Sequence, residues 1–309
     1  PTFGTQSVKA SVFSELRRLF FFMPSPPTVV SWRTVLVEIT LYSILQIPIL
    51  PILPTFKHIP TQNTTAMAHT PGLVLIHGAG LNSAIWEEIE KEIGLDVLAV
   101  DFPNRNNGDA NKHLTFHDYL NSTVAQIKNA KFDRFILVTH SIGACVGLAI
   151  AAQFRDRIAA FVAIGSVVPP GGQSFAGAMP FPLSAILPII LRLFGTKPPV
   201  KSIEDELCSD LTPEQTQKII AGFTPEARAL YTTRIHYELP DTKRIYIKLT
   251  SDKSIPPSVQ DKMAQNLHAH TIMTIDSGHL PMLSQPKQLA SILTSIADES
   301  RTDENVTDR

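Results

Sequence analysis

Ser141, Asp252 and His279 are the side chains of this sequence whose types and order could build a nucleophile. Ser141 lies between an apolar run that ends at His140 and an Ala- and Gly-rich stretch that follows Gly143. A serine at such a strand-to-helix turn projects its hydroxyl from the backbone, close to the free amides of the helix start. The alternative is a serine that only caps the helix. The other polar residues must decide between these two interpretations.

A serine nucleophile needs a base, and the base needs a carboxylate that orients it. His279 lies in a Gly- and Pro-containing loop directly after the last predicted strand, and Asp252 follows the strand before it. Taken alone, each could be an ordinary loop residue, since aspartate is common in turns. Asp276 is nearer to His279, but its place in the same tight loop is poor for accepting a hydrogen bond from the ring. The order Ser141, Asp252, His279, each just beyond a strand, predicts a nucleophile, an acid and a base.

The loop His77-Gly78-Ala79-Gly80 follows the first predicted strand and could stabilise an oxyanion. We predict that the backbone N–H groups of Ala79 and of Ile142, the residue after the serine, form an oxyanion hole. A glycine loop at this place could also bind phosphate. However, it lacks the Lys-Ser/Thr pair of a P-loop and the G-x-G-x-x-G spacing. The loop therefore favours chemistry at a carbonyl group.

The elements that must position these residues alternate between strand and helix from Gly72 onward. The apolar runs between helical segments indicate an α/β fold with a parallel sheet that is buried on both faces. The predicted strands are residues 73–77, 95–101, 134–140, 158–165, 244–250 and 269–275, and the predicted helices are residues 82–93, 115–129, 144–152 and 286–297. The alternation breaks after residue 166, which predicts a cap insertion at about residues 167–241. Such a cap would cover the carboxyl edge of the sheet, where open α/β sheets bind ligands.

Four motifs between residues 67 and 309 carry a resemblance to a known family. They are Leu75-Ile76-His77-Gly78, residues 139–143, residues 245–256 and residues 278–286. On these motifs the chain resembles the small α/β-hydrolases grouped around plant methylesterases, hydroxynitrile lyases and related bacterial esterases. The resemblance implies the α/β-hydrolase fold, with helices on both faces of a mostly parallel sheet and a helical cap. It also implies a Ser141–Asp252–His279 triad.

The motifs depart from the family pattern in the elbow and in two loops. Thr139 stands where the elbow usually has its first glycine, which is tolerable because the tight contact lies at Gly143. The lyases of this family carry a lysine after the catalytic histidine and a threonine in the first loop, where this chain has Leu280 and Gly78. We therefore expect a serine carboxylic-ester hydrolase. The alternatives are a hydroxynitrile-lyase-like C–C lyase, and a slow-turnover receptor or signalling partner that keeps the triad.

The first part of the predicted cap is apolar and could line a substrate pocket. Between residues 167 and 200, Arg192 and Lys197 are the only charged side chains. Ligand sites are mostly apolar with few polar groups, although packing against the core must account for part of such a segment. We predict a pocket for small to medium hydrophobic esters. Its predicted lining is Gly78, His140, Phe175, Phe181 and Leu280.

The composition favours a globular protein, and the expected ester hydrolysis needs no metal or cofactor. The 309 residues are 44% hydrophobic and 18% charged, with a net charge of −1. This balance suits a large core and gives no reason to expect a nucleic-acid partner. Cys145 and Cys208 form neither a disulfide framework nor a metal-binding pattern, so we predict a cytoplasmic location. The sequence makes no prediction of the oligomeric state.

Residues 1–66 differ from the rest and form a predicted N-terminal extension before a hydrolase domain at residues 67–309. Their acidic residues are Glu15 and Glu38, and residues 34–53 are an apolar tract. The tract has the length of a membrane span, but it contains Glu38 and two prolines. The interpretations are an extension outside the native enzyme, a membrane anchor, and a targeting or packing segment. Membrane contact is expected only if residues 34–53 are an anchor.

Overall fold

The computed structural model describes residues 70–302 of the chain. The predicted extension at residues 1–66, with its apolar tract, lies outside the described residues. Within residues 70–302, no helix combines the length and the apolar character that crossing a bilayer requires. All the candidate site residues fall in the described part, so the site can be built from it.

The described part of the chain contains one sheet of six strands in the order β2-β1-β3-β4-β5-β6. The strands are β1 (Gly72–Ile76), β2 (Val97–Val100), β3 (Phe135–His140), β4 (Ile158–Ile164), β5 (Lys243–Leu249) and β6 (Thr271–Ile275). Every neighbouring pair is parallel. Parallel strands need crossover connections, so the carboxyl ends of all six strands meet at one edge of the sheet.

Helices provide these crossovers and cover the sheet. The α-helices of residues 70–302 are α1 (Glu87–Glu92), α2 (Phe116–Lys128), α3 (Gly143–Ala151), α4 (Phe175–Ala178), α5 (Leu183–Phe194), α6 (Val200–Ser202), α7 (Pro213–Gly222), α8 (Arg228–Thr232), α9 (Pro257–Asn266), α10 (Pro281–Ser284) and α11 (Pro286–Thr302). A π-helical turn at Ile203–Leu207 follows α6. The helices α4 to α8 lie between β4 and β5, in the segment predicted to be a cap. The cap segment is therefore helical.

The central strands β1 and β3 are buried along their whole length. In β1, Val74 and Ile76 belong to the core on one face of the sheet, whereas Leu73 and Leu75 belong to the core on the other. Side chains of a strand alternate between faces, so a strand covered on both faces must be apolar throughout. This double burial explains why the strands were visible as apolar runs, and it makes the sheet a rigid support for its edge.

The observed strands agree with the predicted ones to within two residues at each end. The predicted helix at residues 82–93 is a 3₁₀ turn (Ser83–Trp86) followed by α1, and α11 is longer than predicted. The helix α9 was not predicted from the sequence. Its start, Pro256-Pro257, looks like a loop, although proline is favoured in the first turn of a helix. The missed helix contributes directly to the site described next.

Candidate active site

Ser141 occupies a sharp turn between β3 and α3, with a backbone φ of +54°. This left-handed conformation is uncommon for residues other than glycine and costs roughly 1–3 kcal/mol. The Ser141 N–H donates to the carbonyl of Ile164 at 3.2 Å, and the Ser141 carbonyl accepts from the N–H of Val167 at 3.2 Å. Ile164 ends β4, and Val167 lies three residues beyond it. The end of the neighbouring strand and the segment that follows it therefore hold the serine in its strained position.

The elbow packs closely against β1 and α3, which explains its small residues. A Cβ atom at Gly143 would lie 2.6 Å from the carbonyl oxygen of His77, so no larger residue fits there. The Thr139 hydroxyl donates to the carbonyl of Val162 at 3.1 Å. A Cβ at Gly147 would lie 2.5 Å from the Thr139 methyl group. Gly147 therefore provides the space that allows threonine at the first elbow position.

Asp252 and His279 form a buried pair at the same edge of the sheet. The Nδ1–H of His279 donates to Oδ2 of Asp252 at 2.8 Å. The two side chains are 0% (Asp252) and 4% (His279) exposed. Because a carboxylate can only accept, the ring proton lies on Nδ1, and Nε2 keeps its lone pair in the neutral imidazole. This tautomer is the one that a general base requires.

The Asp252 carboxylate is held in one orientation by its own loop and by α9. Its Oδ1 accepts the backbone N–H groups of Ser254 at 2.8 Å and Ile255 at 2.9 Å. The side-chain amide of Gln260 on α9 donates to Oδ2 at 3.4 Å. Gln260 is itself fixed, because its amide exchanges two hydrogen bonds with the backbone of Leu249 in β5. Gln260 was not predicted as a site residue, because the helix that carries it was not predicted from the sequence.

Asp210 connects the cap segment to the loop that carries His279. Its carboxylate accepts the backbone N–H of Gly278 at 2.6 Å and the hydroxyl of Ser277 at 3.4 Å. A Cβ at Gly278 would lie 2.3 Å from an Asp210 oxygen, so the close approach depends on glycine. Asp276 instead accepts the hydroxyls of Thr250 and Ser251. The two acids thus fix the backbone before the histidine, and neither is its partner in the structure.

His140 lies next to His279, with ring centroids 4.7 Å apart. Its Nε2–H donates to the backbone carbonyl of His279 at 2.9 Å. Burial, together with the adjacent His279, holds the pKa of His140 well below its ordinary value. The ring is therefore neutral near pH 7, and it adds no positive charge beside the base.

The loop at residues 77–80 is positioned by its first histidine. The Nδ1–H of His77 donates to the carbonyl of Gly78 at 2.7 Å, and Nε2 accepts the backbone N–H of Phe102 at 3.3 Å. Burial lowers the pKa of His77 to about 4, which keeps the ring neutral. The neutral ring has one donor and one acceptor nitrogen, and these two bonds use both.

Two backbone amides remain candidates for the oxyanion hole. The N–H of Gly80 donates to the Glu226 carboxylate at 3.1 Å, so this amide is already engaged. Ala79 and Ser141 both line one cavity, described below. Ile142 precedes α3, and the first N–H groups of a helix have no partner within it. The oxyanion hole formed by Ala79 and Ile142 stays a prediction.

A cavity of ≈270 Å³ contains Ser141 and His279. Of the predicted pocket residues, Gly78, His140 and Phe175 line it, whereas Phe181 and Leu280 do not. Phe181 is 85% exposed and Leu280 is fully buried in the core. The apolar part of the lining is Ala79, Leu81, Phe175, Met179, Leu183, Leu187, Pro198, Ile203, Leu207, Phe223, Tyr231 and Ile255. The cavity is thus mostly apolar, and the rest of its lining is Gly78, His140, Ser141, Ser202, Glu206, Ser254 and His279.

The described residues offer no donor set for a metal. Within residues 70–302, no group of three or more His, Cys, Asp or Glu side chains is placed to hold an ion. Cys145 and Cys208 are both buried and unpaired with each other. Burial raises the pKa of Cys208 to about 11 and that of Cys145 above its usual range, so both are thiols near pH 7. Ser141, His279 and Asp252 stay the predicted reactive groups of the site.

Comparison with known proteins matches this part of the chain to one family. The sequence model described as "Alpha/beta hydrolase family" covers residues 73–292. Methylesterase 7 of Arabidopsis thaliana is 24% identical over 251 residues, which cover 73% of this chain and 96% of that protein. Polyneuridine aldehyde esterase of Rauvolfia serpentina is 25% identical over 259 residues, with coverages of 73% and 95%.

A solved structure shows the same architecture. An extracellular alpha/beta-hydrolase from a Paenibacillus species superimposes with a TM-score of 0.64 at 22% sequence identity. The match covers 73% of this chain and 98% of that chain. Together with the parallel sheet, these similarities confirm the predicted resemblance and the predicted α/β-hydrolase fold.

Proposed function

The chain belongs to the alpha/beta hydrolase family, and on that premise we propose that it hydrolyses carboxylic esters through an acyl-enzyme formed on Ser141. The observation that carries the proposal is the buried Asp252–His279 pair, which lies with Ser141 at one edge of the sheet. The names of the related methylesterase and aldehyde esterase support the same reaction.

In the first half of the proposed reaction, the Ser141 oxygen attacks the ester carbonyl. His279 takes the serine proton on Nε2, because Nδ1 already carries the proton that Asp252 accepts. The imidazolium that forms lies beside the Asp252 carboxylate, which stabilises its charge. Asp252 itself stays ionised and holds the ring in position.

The negative charge of the tetrahedral intermediate develops on the former carbonyl oxygen. We propose that the N–H groups of Ala79 and Ile142 donate to this oxygen. Fixed backbone donors in a site shielded from water stabilise such charge without having to reorganise, and removing one typically costs about 10²–10³ in kcat. Collapse of the intermediate breaks the ester C–O bond. His279 then gives its proton to the leaving alcohol.

In the second half, water replaces the alcohol. His279 removes a proton from the water as it attacks the acyl carbonyl, and the same two amides hold the second oxyanion. The collapse returns the proton to Ser141 and releases a carboxylic acid. Proton transfer and oxyanion stabilisation account for both steps, and the proposal includes no cofactor.

We further propose that the substrate is a small to medium hydrophobic ester. The lining of the ≈270 Å³ cavity is dominated by aliphatic and aromatic side chains, and Glu206 is its only Asp, Glu, Lys or Arg. No cation is available in this lining to pair with a carboxylate or a phosphate. Neutral acyl and alcohol groups therefore fit the cavity best.

A cytoplasmic location also belongs to the proposal. Cys145 and Cys208 are buried thiols that are not joined to each other. Disulfides are rare in the reducing cytosol, so unpaired buried thiols are compatible with that compartment. Fractionation of cells that express the full chain would test the location.

A panel of p-nitrophenyl esters, from acetate to palmitate, tests the proposed activity on the full chain. We expect turnover with a maximum at short or medium acyl chains. Stoichiometric labelling by a fluorophosphonate with negligible turnover across the panel would favour the receptor alternative. Cyanide release from mandelonitrile without ester hydrolysis would favour the lyase alternative, although the buried Leu280 supplies no amino group for that chemistry.

A further inference from the structure

Gly80, next to the candidate oxyanion donor, is bound on both sides of its backbone by the cap segment. Its N–H donates to Oε1 of Glu226 at 3.1 Å, and its carbonyl accepts the N–H of Thr224 at 2.9 Å. Gly80 has a φ of +78°, and a Cβ there would lie 2.2 Å from the ring of Phe223. The loop and residues 223–226 therefore fit together without space between them.

Glu226 is a buried carboxylate whose two oxygens accept hydrogen bonds from Arg105 and Tyr119. Its side chain is 0% exposed, and the Arg105 side chain that pairs with it is 8% exposed. Arg105 donates to Oε1 at 2.8 Å and to Oε2 at 2.7 Å, and the Tyr119 hydroxyl donates to Oε2 at 3.0 Å. The bidentate pair fixes the plane of the carboxylate as well as its charge.

Arg105 extends the contact to the next residue of the loop. The same guanidinium nitrogen that reaches Oε1 of Glu226 also donates to the carbonyl of Leu81 at 2.7 Å. The ion pair thus binds two consecutive residues of the loop, Gly80 through the carboxylate and Leu81 through the guanidinium. Removing one partner of such a buried pair leaves a charge without compensation, which is strongly unfavourable.

Buried side chains hold both of the peptide groups that flank Ala79. The peptide group before Ala79 is fixed by the bond from His77 Nδ1–H to the Gly78 carbonyl. In a trans peptide the N–H points opposite to the C=O, so the Ala79 N–H is directed away from His77. The peptide group after Ala79 is fixed by Glu226 through the Gly80 N–H. Both peptide planes at Ala79 are therefore held by buried side chains, one of which belongs to the cap segment.

We propose that Glu226, in the cap segment, is a positioning residue for the oxyanion hole: it holds the peptide group after Ala79, so that the Ala79 amide keeps the position that the His77 bond gives it. The inference rests on the proposed ester hydrolysis, because it assigns a role in that reaction. Glu226 does not contact the reacting atoms. Its effect is on the transition state, in which the oxyanion exists, and much less on the ester before attack.

Glu226→Gln tests this role in the full chain. The glutamine can still accept from Gly80, but its amide NH₂ meets the donors of Arg105 and Tyr119, so the side chain must turn. We expect kcat to fall about 10-fold or more with KM changed less than about twofold. A trifluoromethyl ketone inhibitor mimics the intermediate, because the Ser141 oxygen adds to its carbonyl and gives a stable oxyanion. The affinity for this ketone should fall by the same factor as kcat/KM.

A second variant and a control separate positioning from loss of structure. Arg105→Lys keeps a positive charge beside Glu226 but loses the bidentate geometry, and it should lower kcat in the same selective way. Thr196→Val is the control, because the Thr196 hydroxyl donates to the backbone carbonyl of Glu226 at 2.6 Å without involving its carboxylate. It should lower the midpoint of thermal unfolding and leave kcat within about twofold.

The outcomes distinguish this inference from the proposed function. If Glu226→Gln and Arg105→Lys fold but keep the kcat and the ketone affinity of the wild-type protein, the positioning role is wrong while ester hydrolysis stands. Equal losses in the two variants and in Thr196→Val would also contradict it, since they would show a general loss of stability. If the wild-type protein hydrolyses no ester, the proposed function itself fails.

Discussion

The Asp252 carboxylate lies 2.8 Å from Nδ1 of His279, although the two residues are 27 positions apart in the sequence. Each stands just beyond a strand, β5 for the acid and β6 for the base, and these two strands are parallel neighbours. The register of the sheet therefore brings the loops together. Hydrogen bonds from Ser254, Ile255 and Gln260 then fix the carboxylate.

Asp252→Asn should reduce kcat by about 10⁴-fold, because the amide can donate to the ring and favour the wrong tautomer of His279. Steady-state hydrolysis of a p-nitrophenyl ester measures the effect. Asp276→Asn is the matched control, since Asp276 is exposed and bonds Thr250 and Ser251. If kcat fell more in Asp276→Asn than in Asp252→Asn, the assignment of Asp252 as the acid would be wrong.

Gly78→Ala should lower kcat by about 10- to 100-fold, since small displacements of reacting groups have effects of this size. The added Cβ would lie 2.9 Å from Nδ1 of His140 and 3.0 Å from Cβ of Ser141, so the elbow must shift. Gly94→Ala is the control, because no atom lies within 4 Å of a Cβ there. Equal activity of the two variants would show that the loop tolerates a side chain beside the serine.

Phe175→Ala should change the chain-length preference, whereas Phe181→Ala should not. Phe175 lines the cavity and contacts Tyr231 with ring centroids 5.6 Å apart, while Phe181 is 85% exposed and outside the lining. The larger cavity of Phe175→Ala should raise kcat/KM for octanoate relative to acetate by about 10-fold or less. The account of the pocket would be wrong if the ratio moved only in Phe181→Ala.

Stability should fall as the pH is lowered from 6.5 toward 4, in part because of His77. In the unfolded chain this imidazole takes up a proton below about pH 6.5, whereas burial lowers its pKa in the folded protein to about 4. The unfolded state binds more protons in this interval, so acid favours unfolding. His140, whose pKa is also lowered by burial, acts in the same direction.

Urea unfolding at pH 7 and pH 5 isolates the contribution of His77. The loss of unfolding free energy between the two pH values should be roughly 2 kcal/mol smaller in His77→Gln than in the wild-type protein. The variant should also be less stable at pH 7, since its side chain replaces two buried hydrogen bonds imperfectly. An unchanged pH dependence would mean that His77 is not held neutral by the fold.

The strands and the loops after them were predictable because a doubly buried parallel sheet leaves continuous apolar runs in the sequence. Ser141, Asp252 and His279 each follow such a run, so their meeting at one edge follows from the topology. The helix α9 was not predictable from the same signal, because its segment is largely polar and begins with two prolines. Gln260, which lies on this helix, was therefore not predicted as a site residue.

The cap segment shows where sequence patterns carry least information. Apolar residues occupy both faces of α5, so hydrophobicity does not reveal which of them line the cavity. Phe181, which precedes this helix, was predicted as a pocket residue for that reason. The pairing of Glu226 with Arg105 spans 121 positions, and nothing in the local sequence of either residue indicates it.

The most direct test of the central claim is the kcat of Ser141→Ala for a short p-nitrophenyl ester, compared with the wild-type protein at equal folded concentration. If Ser141 is the nucleophile, kcat should fall by roughly 10⁴-fold or more, as it does when triad residues are removed in other enzymes. The thermal unfolding midpoint should not fall, because alanine removes only the hydroxyl. Near-normal turnover in Ser141→Ala would contradict the account.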